Sequence, residues 1–243
     1  MNTTYLSLEI KRIVRSPQFT IFTIGMPVAM YLLFGAIFGD YVLDNGLHSS
    51  TQTMIGMAAY GASGGALFTG TRVAQERTDG WQRQLRLTPM RGFGYLVVKV
   101  ASAMAVALPV LVAIFFVGFL RGEPLTMAEW GRQLVFLWAA TLPFAVLGLA
   151  IGLFGKGDTV GAVTGALMMP LGMLGGLWIP LEILPGWMAT VAHFVPTYWL
   201  RRVGLDPLVH ASGTWVAVLV LAGWLVVPAL VVMRRFRLDT ARL

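Results

Sequence analysis

The chain has 243 residues, of which 57% are hydrophobic and only 12% are charged, and this composition is too apolar for an ordinary water-soluble domain. It contains no cysteine, which excludes disulfides, thiolate metal sites and cysteine nucleophiles within the chain. The net charge of +7 could indicate nucleic-acid binding, but basic loops at a membrane surface explain it more simply in so apolar a protein. We therefore expect an integral membrane protein that resides in a lipid bilayer and has no nucleic-acid partner.

The first residues of the chain, 1–16, predict a separate amphipathic helix. Leu6, Ile10 and Val14 recur at helical spacing, and basic side chains fall on another face. A helix with one apolar and one basic face lies in the membrane interface. Pro17 then separates this interface helix from the first membrane span.

Six uncharged segments follow, and each is long enough to cross a bilayer at about 1.5 Å per residue. They cover approximately residues 19–38, 51–71, 100–120, 134–154, 160–179 and 214–233. The second segment is the least hydrophobic because glycines replace bulky side chains along much of its length, which predicts an interior helix that faces protein. No long linker or convincing internal repeat is found, so we predict one all-α membrane domain over residues 1–243.

The placement of basic residues predicts which ends of the spans face the cytoplasm. With six spans and both chain ends inside, 14 of the 18 Lys and Arg residues lie in cytoplasmic segments and four lie outside. The acidic residues show no such excess, since five lie inside and six lie outside. An excess confined to Lys and Arg is typical of cytoplasmic loops. The inside residues are Lys11, Arg12, Arg15, Arg72, Arg77, Arg83, Arg86, Arg91, Lys99, Lys156, Arg234, Arg235, Arg237 and Arg242, and the outside ones are Arg121, Arg132, Arg201 and Arg202.

The stretch between the fifth and sixth spans, residues 180–200, is apolar but interrupted by prolines. Two short helices fit it better than a seventh span, which predicts an external re-entrant hairpin. Glu182 and His193 could form a proton relay or a metal site, but no histidine has metal-ligand spacing such as H-E-x-x-H. We favour a hairpin-stabilising role near an outer aromatic belt. The hairpin residues are Pro180, Glu182, Pro185, His193, Pro196 and Tyr198, and the belt contains Trp178, Trp187, Tyr198 and Trp199.

The longest predicted cytoplasmic connection, residues 72–91, contains the elements of a short surface helix. Either Thr78 or Asp79 can cap its start, and Pro89 ends it. Trp81 and Leu85 share a face at i and i+4. Such a loop can transmit force from a soluble partner. The alternative is a solvated loop with local ion pairs, and composition alone favours that alternative.

Three features occur together along nearly the whole chain: a charged loop after the second span, a Gly-rich fifth span that runs into a Pro-containing hairpin, and a basic N-terminal helix. The residues are Glu76-Arg77, Gly80 and Thr88-Pro89 in the loop; Gly175-Gly176-Leu177-Trp178-Ile179-Pro180, Leu184-Pro185-Gly186-Trp187 and Pro196-Thr197-Tyr198 around the hairpin; and Glu9-Ile10-Lys11-Arg12 with Arg15-Ser16-Pro17 at the N-terminus. This combination resembles the ABC-2 family of ATP-binding-cassette permeases. Trp81 departs from the threonine that often follows the loop glycine in that family.

The resemblance implies a half-transporter. Two membrane subunits would pair, either two copies of this chain or this chain with a homologous permease, and two copies of a separate ABC ATPase would dock beneath them. ATP and Mg would bind to the ATPase. The sequence has no G-x-x-x-x-G-K-[ST] phosphate loop, and we expect no catalytic residue, cofactor or metal in this chain. The resemblance also implies a multi-pass protein of the bacterial plasma (inner) membrane with both termini in the cytoplasm.

The same resemblance assigns roles to the loops. Residues 76–89 would be the coupling helix in a groove of the ATPase, and residues 5–16 would brace it at the membrane surface. Lys156 and Asp158, after the fourth span, are candidates for a second ATPase contact, and the alternative for this pair is a surface ion pair of little energy. The predicted coupling residues of the first loop are Glu76, Arg77, Asp79, Gly80, Trp81, Leu85 and Pro89.

The predicted spans carry no ionisable residue near their middle, which bears on mechanism and cargo. This counts against an ion-coupled carrier and against an intramembrane hydrolase. It favours a hydrophobic or amphiphilic cargo, such as a drug, an antibiotic or a lipid-like molecule, and the resemblance to exporter permeases implies that this cargo moves outward. Within the family the alternative is export of a lipid-linked polysaccharide. Outside transport the alternative is a membrane scaffold or assembly factor.

Overall fold

The computed structural model describes residues 21–39, 41–43, 46–80, 92–179, 181, 185–209 and 211–241. Within these ranges the regular secondary structure is helical, apart from one isolated bridge between Val42 and His48. The all-α prediction is therefore confirmed for this part of the chain. The interface helix predicted for residues 1–16 lies outside the described residues.

Nine α-helices are found in the described ranges, named here α1 to α9 in chain order. A π-helical turn, Ile21–Gly25, leads directly into the first of them. Their bounds are Met26–Phe38 (α1), Ser49–Thr78 (α2), Gly92–Leu120 (α3), Met127–Ala140 (α4), Leu142–Phe154 (α5), Gly157–Leu174 (α6), Gly186–Ala192 (α7), Pro196–Leu205 (α8) and Thr214–Ala241 (α9).

Several helices have the length and apolar composition of membrane spans. Among the described residues, three stretches meet both criteria, and two shorter apolar helices accompany them. Each of these five overlaps one predicted span, and the remaining predicted span, residues 51–71, lies within α2. The three long stretches are Gly94–Leu120, Met127–Phe154 and Thr214–Arg235, and the shorter helices are Thr23–Phe38 and Thr159–Leu174.

Helix α2 runs through the centre of the bundle, and most of its 30 residues are buried. It packs most extensively against α5 and α3, and also against α6 and α1. Gly70 lies against the backbone of Gly148, so that a Cβ atom at position 70 would overlap the carbonyl group of Gly148. Small residues let two helix backbones approach in this way. The prediction that the Gly-rich second span is an interior helix is confirmed.

The fourth predicted span is divided into two helices at Thr141. Pro143 lies in the first turn of α5, where its missing N–H group is tolerated, and the Thr141 hydroxyl donates to the Leu137 carbonyl oxygen at 2.7 Å. At its other end α4 begins with a capping box, in which Thr126 and Glu129 satisfy each other's backbone N–H groups. Hydrogen bonds of Thr141 and of the capping box therefore satisfy backbone groups at both ends of α4.

The residues predicted to form a hairpin fold as two short helices, α7 and α8. Pro185 precedes α7, and Pro196 occupies the first position of α8, where proline is well tolerated. The Thr197 hydroxyl donates to the Leu171 carbonyl oxygen at 2.6 Å and so attaches α8 to α6. The prediction of two short helices is thus confirmed. Their position relative to the membrane stays a prediction, and Pro180 and Glu182 lie outside the described residues.

Candidate functional site

A buried ion pair joins the last turn of α2 to the first turns of α3. The Lys99 ammonium donates to Glu76 Oε1 at 2.5 Å, and the Tyr95 hydroxyl donates to Glu76 Oε2 at 2.9 Å. The ammonium also lies 5.5 Å from the centroid of the Tyr95 ring. The side chains of Lys99 and Glu76 are only 1% and 9% exposed. These three residues are called the Glu76 cluster below.

The local sequence explains why the Glu76 cluster forms. Tyr95 and Lys99 are four residues apart on α3, so they lie on one face of the helix. Apolar side chains surround them, among them Val73 of α2 and Leu153 of α5. Removal of one partner from a buried ion pair typically costs about 3–5 kcal/mol. The cluster therefore fixes α2 and α3 firmly relative to each other.

The predicted coupling loop is shorter in the structure than residues 72–91. Helix α2 continues to Thr78, and α3 begins at Gly92. Helix α2 extends into the predicted loop because the charges of Glu76 and Lys99 neutralise each other inside the bundle. A buried pair of opposite charges allows both helices to extend past the purely apolar segments.

The Glu76 cluster also closes the base of this loop. Glu76 and Lys99 are 23 positions apart in the sequence, and the loop runs between them. Because the two ends are bound to each other, a force applied to the loop acts on α2 and α3 together. Glu76 itself is buried, so its carboxylate contacts Tyr95 and Lys99 and does not face solvent.

The other predicted coupling residues are more accessible where the structure describes them. Arg77 is half-buried and Asp79 is exposed. Gly80 has a φ of 71°, a conformation that favours glycine. Asp79 ends α2, and its backbone N–H donates to the Gln75 carbonyl oxygen at 2.9 Å. The remaining predicted residues lie outside the described part of the chain, namely Trp81, Leu85 and Pro89.

The short connection between α5 and α6 lies beside the end of α2. A Cβ atom at Gly157 would be 3.7 Å from the hydroxyl oxygen of Thr78. Lys156 is exposed next to it, and Asp158 lies in the first turn of α6. The structure therefore brings the two segments that we predicted to contact an ATPase next to each other.

The predicted hairpin residue His193 lies within an aromatic group. Its ring centroid is 4.6 Å from that of Tyr198 and 6.1 Å from that of Trp199. The Trp199 indole donates to the His193 carbonyl oxygen at 2.8 Å, and the His193 Nδ1 atom lies 2.8 Å from the Ala189 carbonyl oxygen. These contacts link α7 to α8, and the hairpin-stabilising role of His193 stays a prediction.

A second buried carboxylate, Glu123, lies at the opposite end of α2. It accepts hydrogen bonds from the hydroxyl groups of Tyr31 at 2.7 Å, Ser50 at 3.1 Å and Thr51 at 2.6 Å. The Arg121 guanidinium lies 5.3 Å from the centroid of the Tyr31 ring. Glu123, Tyr31, Ser50 and Thr51 are called the Glu123 cluster, which joins α1, the start of α2 and the residues after α3.

Sequence reasoning missed the partners in both clusters. Lys99 was counted only as a cytoplasmic charge, and Glu123 was given no role of its own. A signal for Lys99 existed, because a lysine within an otherwise apolar helix needs an acidic partner, and Glu76 lies at the facing end of the preceding helix. No comparable signal existed for Glu123, since its donors come from two other helices distant in sequence.

Comparison with known proteins assigns a family to this arrangement. Residues 3–205 match the family model of the ABC-2 type transporter. A Bacillus subtilis (strain 168) protein named "Putative transport permease YvfS" is 30% identical over 192 residues, which cover 78% of this chain and 78% of that protein. The family match includes the Glu76 cluster, the Glu123 cluster and both hairpin helices. The chain therefore belongs to the ABC-2 type transporter family, and it is a membrane transport subunit and not a catalytic enzyme.

Proposed function

We propose that the chain is the membrane-spanning subunit of an ATP-driven exporter whose energy comes from two copies of a separate ABC ATPase. The family supports a transport permease, and the sequence has no phosphate loop of its own. The observation that carries the proposal is the Glu76 cluster, which binds the two ends of the loop to each other next to the α5–α6 connection.

In the proposed cycle, the ATPases close on ATP and push the loop after α2. Because the Glu76 cluster joins α2 and α3, the push moves both helices as a unit. This movement opens a seam between two membrane subunits, either two copies of this chain or this chain with a homologous permease. The segment 76–89 and the pair Lys156 and Asp158 form the ATPase contact, and residues 5–16 of the interface helix brace it.

We propose a cargo that is hydrophobic or amphiphilic, such as a drug, an antibiotic or a lipid-like molecule, and an outward direction of transport. The chemistry of the described side chains supports this choice of cargo. The buried carboxylates that the structure describes are Glu76, Glu123 and Asp206, and all three lie near helix ends and accept internal hydrogen bonds. The long helices between them present largely apolar surfaces, which suit apolar cargo better than a charged one.

The proposed topology has six spans, with both chain ends in the cytoplasm of a bacterial cell. The spans are α1, α2, α3, α4 with α5, α6 and α9, and the α7–α8 hairpin is external. Helix α2 can cross the membrane despite its moderate hydropathy because other helices cover it and it has little contact with lipid. Under this topology the Glu76 cluster is cytoplasmic and the Glu123 cluster is external.

Single cysteines test this topology, because the natural chain has none. A membrane-impermeant maleimide added to intact cells is expected to label Met127→Cys and Trp187→Cys, which replace residues that are 73% and 64% exposed. Lys156→Cys is expected to react only after the membrane is permeabilised. Labelling of Lys156→Cys in intact cells, or protection of Trp187→Cys, would show that the topology is wrong.

Co-purification tests the exporter proposal itself. A tagged chain is co-expressed with ABC ATPases of the same genome, one at a time. We expect one ATPase to co-purify in a one-to-one ratio and to hydrolyse ATP faster in the complex than alone. Trp81→Ala, in the loop, is expected to lower this stimulation about fivefold or more, which corresponds to about 1 kcal/mol.

The matched control is Trp187→Ala, which removes the same side chain at the other end of the bundle. Here we expect normal association and normal stimulation of the ATPase. If no ATPase associates under native expression, the exporter proposal fails. If both tryptophan variants lower the stimulation equally, the effect is a general loss of structure and the coupling role of the loop is refuted.

A further inference from the structure

An apolar cleft of about 600 Å³ opens between α5, α6 and α9. Its walls include Ile151 and Phe154 of α5, Val163 of α6, and Trp224 and Val231 of α9. Val163 and Val231 are substantially exposed, so the cleft is open at the side of the bundle. A groove of this kind on a membrane-embedded surface is filled by hydrocarbon, since water would find almost no polar partners there.

One end of the cleft carries basic side chains. The guanidinium carbon of Arg235 lies 5.5 Å from the centroid of the Phe154 ring, and that ring forms part of the cleft wall. Arg235 also follows Val231 of the wall by one helical turn. Lys156 is exposed and comes directly after Gly155, which lines the same end. Arg235 and Lys156 therefore both lie near one end of a groove whose lining is largely apolar.

We propose that this cleft binds an anionic phospholipid, with an acyl chain in the groove and the phosphate group between Arg235 and Lys156. Basic pockets between membrane helices at the cytoplasmic surface bind anionic headgroups in this manner. A zwitterionic lipid has the same chains but no net charge, so the two cations provide selectivity. The inference rests on the topology proposed above, which places this mouth in the cytoplasmic leaflet.

A lipid at this position would also support the proposed ATPase contact. Gly155 and Lys156 belong to the connection that lies beside Thr78 at the end of α2. A lipid bound there would hold the α5–α6 connection in place next to the proposed ATPase contact. Anionic lipid would thereby support the surface on which the ATPase docks, without taking part in ATP hydrolysis.

Lipid retention measured by native mass spectrometry tests the proposal. The purified chain is reconstituted in nanodiscs of equal parts phosphatidylglycerol and phosphatidylcholine with identical acyl chains, and then released into the gas phase. We expect phosphatidylglycerol to be retained about fivefold over phosphatidylcholine, and the ratio to fall towards one in Arg235→Gln with Lys156→Gln. Val163→Trp, which fills the cleft, is expected to reduce retention of both lipids.

Two control variants distinguish headgroup binding from a folding defect and from a general loss of positive charge. Arg235→Lys retains the charge and is expected to retain the selectivity, which separates headgroup binding from a folding defect. Arg132→Gln removes a cation from the α4 surface, away from the cleft, and is expected to change nothing. Equal retention of both lipids by the unaltered chain would overturn the proposal, as would a dimer that carries no lipid because a second copy covers the cleft. Since no ATPase is present, failure of the exporter proposal would leave this result unaffected.

Discussion

Replacement of Lys99 by methionine is expected to lower the stability of the chain by about 3–5 kcal/mol, because the Glu76 carboxylate then stays buried without its counter-charge. We also expect the variant to lose most of the stimulation of an associated ATPase, since the ends of the loop are no longer bound to each other. Thermal unfolding in detergent, followed by tryptophan fluorescence, measures the first effect. The rate of ATP hydrolysis in the co-purified complex measures the second.

The double variant Glu76→Gln with Lys99→Met separates the two effects. It removes both charges, so most of the lost stability is expected to return, because replacement of a whole buried ion pair is often close to neutral. The loop ends still lack their ion pair, so the loss of ATPase stimulation is expected to persist. Lys156→Met, at an exposed lysine of the same end, is the matched control and should change stability by less than about 0.5 kcal/mol. Equal stabilities of the single and double variants would refute the burial argument.

Gly70→Ala is expected to be strongly destabilising, although it adds only one methyl group. The new Cβ atom would overlap the Gly148 carbonyl group, and this obstacle is backbone and not a flexible side chain. Overpacking of this kind costs about 1–3 kcal/mol and occasionally more. Because α2 and α5 would have to separate, we also expect a fall in the yield of monodisperse protein on size-exclusion chromatography.

Gly223→Ala provides the same chemical change at a site without contacts. No atom lies within 4 Å of a Cβ atom at this position in α9. We expect an unchanged or slightly higher melting temperature, because alanine has a better helix propensity than glycine. If Gly70→Ala melts at the same temperature as Gly223→Ala, the close approach of α2 and α5 is contradicted.

Hydropathy was sufficient to predict where the long helices lie, and residue size predicted the environment of one of them. Glycines along the second span predicted an interior helix, and α2 is buried along most of its length. Helix ends were harder to predict from charge. Glu76 and Lys99 were treated as loop residues because the sequence does not show that a charge has a partner 23 positions away.

Other features depend on contacts that a single sequence does not contain. The interruption at Thr141 falls inside an apolar segment, and only the proline two residues later hints at it. The Glu123 cluster requires α1, α2 and the end of α3 to meet. For the coupling loop, resemblance to a family supplied more than physical reasoning did, and the roles of Trp81, Leu85 and Pro89 stay predictions.

The Glu76 cluster and the Glu123 cluster hold the two ends of α2, so this helix can act as a lever between them. Its 30 residues span about 45 Å and contain no proline that would kink them. Gly70 lies against the backbone of Gly148 in α5, about 9 Å along the axis from Glu76 and about 28 Å from Thr51. With that contact as the fulcrum, a tilt that moves Glu76 by about 1 Å moves Thr51 by about 3 Å in the opposite direction. In the proposed cycle, such a tilt would move the outer end of α2 farther than its inner end and in the opposite direction.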